Sequence, residues 1–65
     1  MGGVIMANIK DVVAAINFIY NENINPDDCY IKESKHYIDL YVNGRLHAST
    51  TENMIKCLKR DGSIE

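Results

Sequence analysis

Tryptophan is absent from this chain of 65 residues, proline and phenylalanine occur once each, and cysteine occurs only twice. Each shortage excludes something. Two cysteines make one disulfide at most, too few to staple a small secreted scaffold. The glycines (Gly2, Gly3, Gly44 and Gly62) all stand at an end or a turn, so no phosphate-cradling loop is present. The longest apolar run, Val12 to Ile16, is far short of the ~20 residues that cross a bilayer. The opening MGGVIM has neither a basic flank nor a long apolar region, so no signal peptide is expected and the cytoplasm is the default compartment.

Basic excess is also missing. Seven Lys and Arg against nine Asp and Glu leave a formal charge of −2, which disfavours nucleic acid as the main partner and leaves only a local patch for it. A chain this short has room for one domain and buries only about 60% of its unfolded surface, so its stability is thin. With no disulfide framework, self-association is the usual support, and a homodimer is expected.

Met6-Ala7-Asn8 reads as a natural start. Residues 1–7 are therefore expected to be an extension, disordered or paired to another chain through Val4 and Ile5, ahead of a single domain over 8–62 and a loose tail over 63–65. Asn8 is a good N-cap with Asp11 three residues on, and apolar residues recur at Ile9, Val12, Val13, Ile16, Ile19 and Tyr20. That spacing predicts an amphipathic helix, ended by the turn around Asn25-Pro26-Asp27. Phe18 points away from the stripe, beside Ala14 and Ala15. Two readings stand for it: a lone exposed aromatic, or an oligomer interface built from Ala14, Ala15 and Phe18.

The stretch Cys29 to Ser49 reads as a three-stranded meander. A turn at Ser34-Lys35 sets Ile31 against Ile38, Cys29 against Leu40, Lys32 against Tyr37 and Tyr30 against Asp39. At Asn43-Gly44, a two-residue turn would oppose Tyr41 to Leu46 and mix the faces. A three-residue bulged loop keeps them pure, with Leu40 against Leu46, Tyr41 against Arg45 and Asp39 against His47, and is preferred on that ground. Ser49 with Glu52 reads as the capping box of a second helix, striped by Thr51, Met54, Ile55 and Leu58 and stopped at Asp61-Gly62. The expected fold is α+β, in the order α-β-β-β-α, with two helices on one face of a three-stranded antiparallel meander. Its expected core is Val12, Val13, Ile16, Ile19, Ile31, Ile38, Leu40, Leu46, Met54, Ile55 and Leu58.

That order of elements is similar to that of double-stranded-RNA-binding domains, which carry a lysine-rich start to the last helix. Here the matching stretch is Ser49-Thr50-Thr51-Glu52-Asn53, uncharged or acidic, so the phosphate-clamping residues do not carry over. The segment INPDDCYIKESKHYIDLY, Ile24 to Tyr41, resembles a helix-strand-strand segment at the tail of some restriction-endonuclease-related proteins, which implies a bacterial or phage setting.

Candidate chemistry is sparse. Cys29, Cys57, His36 and His47 are the soft metal ligands and none pair at zinc-site spacings, so no metal and no cofactor are expected. An Asp39–His47 pair could orient a general base, but there is no nucleophile elbow and no oxyanion loop. A surface pair that registers two strands accounts for it far better, and no enzyme or small-molecule substrate is expected. The remaining feature is a polar sheet face of Tyr30, Lys32, Tyr37, Asp39, Tyr41, Arg45 and His47. Tyrosine and arginine are favoured at protein interfaces, and the same set resembles a base-stacking platform. The sequence therefore points to a small non-enzymatic module, of the kind phage and mobile elements use to modulate a host protein, with a nucleic-acid accessory as the alternative.

Overall fold

A computed structural model describes residues 8–65. Residues 1–7, including the pairing expected of Val4 and Ile5, lie outside the described residues. The elements are α1 (Ile9–Tyr20), β1 (Cys29–Glu33), β2 (Ile38–Val42), β3 (Arg45–Thr50) and α2 (Glu52–Arg60), with a short 3-10 turn at Pro26–Asp28. This is the α+β order read from the sequence.

Helix α1 begins where Asn8 accepts a hydrogen bond from the Asp11 N–H at 2.9 Å. The Asp11 carboxylate reaches Lys59 Nζ at 2.9 Å and ties α1 to α2. The helix ends at Asn21, left-handed at φ 56°. Beyond it, Asn17 acts as a backbone surrogate: its amide donates to the Ile24 carbonyl at 3.2 Å and accepts from the Ile24 N–H at 2.9 Å. That clamp turns the chain toward β1. The α2 N-cap is Thr51, whose hydroxyl accepts from the Met54 N–H, so the capping box expected of Ser49 and Glu52 is not formed: Glu52 is the first helical residue and the Ser49 hydroxyl donates to Asp39 instead. At its other end Gly62, at φ +79°, donates to Lys59 O, and the Ser63 N–H donates to Leu58 O. This is a Schellman stop. It folds the chain back so that Ile64 packs half-buried against the core, where a loose tail was expected.

The strands form an antiparallel sheet in the order β1-β2-β3. In the first hairpin the register differs from the expected one by two residues: Tyr30 faces Tyr41, Ile31 faces Leu40 and Lys32 faces Asp39. The turn is centred on Lys35-His36, with the Ser34 N–H donating to Tyr37 O at 2.8 Å. A shift of two leaves every side chain on its expected face.

The second hairpin differs more. Asn43 at φ 53° and Gly44 at φ 84° form a two-residue turn, and Val42 faces Arg45 while Tyr41 faces Leu46. Paired left-handed residues match the twist of the flanking strands better than a longer loop does. The bulge lies one step into β3, at His47, after which Leu40 faces Ala48 and Ile38 faces Thr50. Gly44→Val should cost about 1 kcal/mol or more from backbone strain alone, since a Cβ there meets nothing within 4 Å. Denaturant melts of the two chains check this, and equal midpoints would refute the left-handed turn.

Both helices bury their apolar stripes against one sheet face. The core is Val12, Val13, Ala15, Ile16, Ile38, Leu40, Ile55 and Leu58. Ile31, expected inside, is half-buried, while Ile19, Leu46 and Met54 are exposed. Ile19 lies on the right stripe, but the buried set stops at Ile16, one turn before α1 does. Met54 is similarly outside the Ile55–Leu58 contact that α2 makes. The shortest dimension, 17 Å, is that of one helix layer ~10 Å across laid on one sheet. The other sheet face has no layer over it among the described residues.

Candidate uncovered sheet face

Directly opposed residues share a face, so the β1–β2 register places Tyr30, Lys32, Asp39 and Tyr41 together on the side away from the helices. Tyr37, opposite Ser34 at the turn, falls on the same side by alternation from the buried Ile38. The Tyr30 and Tyr41 rings stack with centroids 4.9 Å apart and planes 4° from parallel. Lys32 Nζ lies 5.1 Å from the Tyr41 ring centre, within cation–π reach. Asp39 accepts a hydrogen bond from the Ser49 hydroxyl across the sheet.

Two of the expected members are elsewhere. Arg45 is opposed to Val42, which packs against the core, so the two-residue turn puts Arg45 on the helix side at the hairpin tip. His47 sits in the bulge and its Nε2 meets Glu22 Oε1 at 2.7 Å, not Asp39. The expected Asp39–His47 pair is therefore not formed. In their place Leu46, opposed to Tyr41, enters the face with 59% of its surface exposed. The signal for this was the Asn-Gly dipeptide itself, which specifies a two-residue turn more strongly than purity of faces specifies a longer one.

The expected oligomer patch on α1 is also altered. Ala15 is fully buried and belongs to the core. It lies within about 60° of Val12 around the helix, inside the breadth of an apolar stripe. Ala14 is half-buried and lines an open groove of about 440 Å³ with Lys10, Asp11, Ile64 and Glu65. Phe18 is 53% exposed.

The thiols are unpaired. Burial, with the Asp28 charge second, pushes the Cys29 thiol above its ordinary value, and its sulfur donates to Asn25 O at 3.3 Å. A protonated, hydrogen-bonded thiol is a packing group and a poor nucleophile. Among the described residues no group of three or more His, Cys, Asp or Glu is close enough to hold a metal, and no helix is long and apolar enough to cross a membrane.

Comparison of the chain with protein-family models, curated proteins and solved structures returns no match.

Proposed function

We propose that this protein is a non-enzymatic interaction module of the cytoplasm that docks its uncovered sheet face, Tyr30, Lys32, Tyr37, Asp39, Tyr41 and Leu46, onto the surface of another protein. In this reading it modulates a larger partner, as small phage and mobile-element products do. The observation that carries it is the company the tyrosines keep. An exposed leucine stands beside two stacked tyrosines on the side the helices leave open. Aromatic and aliphatic side chains of this size gain most by being desolvated against a complementary pocket.

Charge weighs against nucleic acid. With Arg45 on the opposite side, Lys32 is the cation of this face, and Asp39 stands directly across from it. A face of near-zero charge displaces few counterions from a phosphate backbone. The tyrosine pair also stacks on itself, which engages ring faces that a base would otherwise occupy.

Titration with fluorescent single- and double-stranded oligonucleotides tests the choice. No binding is expected at physiological salt. Micromolar binding that falls steeply with added salt would replace this reading with the nucleic-acid one.

A further inference from the structure

The sheet has two edges, β1 and β3, and they are unlike. Strand β3 is broken by the bulge at His47, which is held by Glu22, and a bulged edge is a poor template for a further strand. Strand β1 is regular from Cys29 to Glu33, with no proline and no bulge.

The hydrogen bonds at its two ends fix which way its backbone groups point. Asn43 N–H donates to Asp28 O at 3.0 Å and Ser34 N–H to Tyr37 O at 2.8 Å. In an antiparallel ladder such pairs alternate, so the even-numbered residues of β1 bond to β2 and the odd-numbered ones face outward. The Cys29 N–H is taken by Pro26 O at the end of the 3-10 turn. The N–H and C=O of Ile31 and Glu33 and the C=O of Cys29 are therefore presented at an open edge, unpaired among the described residues.

We infer that this edge pairs with β1 of a second copy of the chain, antiparallel about a two-fold axis through Ile31. A two-fold axis through any residue of β1 keeps core side against core side; axes at the end residues Cys29 and Glu33 pair the strand with the flanking turns, and the groups present separate the three central ones. An axis through Tyr30 leaves the Glu33 donor outside the ladder. An axis through Lys32 opposes that lysine to its own copy. The axis through Ile31 uses both free donors: Ile31 N–H donates to the copy's Ile31 C=O and Glu33 N–H to the copy's Cys29 C=O. Both bonds occur twice by symmetry, giving about four in all.

On the open face the same register sets Tyr30 against Lys32 of the copy, an aromatic–cation pair formed twice. On the helix side it sets the half-buried Ile31 against itself, which completes its burial. The product is a continuous sheet of twice the width, with the two tyrosine faces side by side. The pairing is independent of what that face binds.

Glu33→Pro tests it. The proline removes an outward donor and puts a ring against the second strand, yet it breaks no bond to β2. Sedimentation velocity of the unmodified chain across a wide concentration range should show a dimer of the 7.4 kDa chain. Glu33→Pro should weaken self-association by about tenfold or more at an unchanged far-UV circular dichroism spectrum. A folded Glu33→Pro chain that dimerises normally, or an unmodified chain that is monomeric throughout, overturns the inference. Should Glu33→Pro fail to fold, amide hydrogen exchange of the unmodified chain decides. The Ile31 and Glu33 amides are expected to become protected as concentration rises, and concentration-independent exchange at both overturns it.

Discussion

Truncating Leu40 to alanine should destabilise the chain by about 2–5 kcal/mol and is expected to leave much of the population unfolded. Leu40 is fully buried on the central strand, opposed to Ile31 on one side and Ala48 on the other. Removing it deletes apolar burial and leaves a cavity that neighbours on both sheet sides and in α1 cannot close without moving. A chain of 65 residues has roughly 3–10 kcal/mol of stability in total, so this one side chain is a large share of it. The melting midpoint should fall by more than about 10 °C. A fall of only a degree or two would mean that the sheet is not the centre of the core.

Tyr41→Ala should weaken the complex with a protein partner by about 2 kcal/mol, or roughly 30-fold. Tyr41 is the middle of the open face: it stacks on Tyr30, carries Lys32 over its ring and stands opposite Leu46. Its loss also removes the stack, worth about 0.5–1.5 kcal/mol to folding, so a companion variant is needed. Leu46→Ser serves: its side chain is exposed and contributes little to the fold, while its removal from the contact should cost affinity. If both variants bind as the unmodified chain does, the open face is solvated surface only.

The faces of the sheet were legible in the sequence because alternation is a period-2 signal, and a two-residue slip in pairing does not disturb it. That is why Tyr30, Lys32, Tyr37, Asp39 and Tyr41 come together although the first hairpin pairs differently from expectation. What decided the slip lies in details that pattern cannot weigh. Ser34 bonds to both the N–H and the carbonyl of Tyr37, Tyr30 stacks on Tyr41, and Lys32 opposes Asp39.

Arg45, Leu46 and His47 were not legible, and they share one cause. The sequence argument asked each aliphatic side chain to face the core, and a three-residue loop met that demand. The chain instead takes the turn that Asn43 and Gly44 favour locally and inserts the bulge at His47, so only the first residues of β3 change face. The cost of leaving Leu46 in solvent is partly offset by its place opposite Tyr41. An exposed leucine placed there by turn geometry is also what makes the open face partly apolar rather than wholly polar. Ala15 was missed for a different reason: as a small residue it reads weakly on a helix stripe, yet it is fully buried in the core.

Parallel capture from a nuclease-treated extract of the source cells tests the account most directly. The four baits are the unmodified chain, Tyr41→Ala, Leu46→Ser and Phe18→Asp, each first shown to be folded. The same protein should be retained by the unmodified chain and by Phe18→Asp, and lost from Tyr41→Ala and Leu46→Ser. Equal retention by all four baits, or loss with Phe18→Asp alone, would contradict the assignment of the tyrosine face as the docking surface.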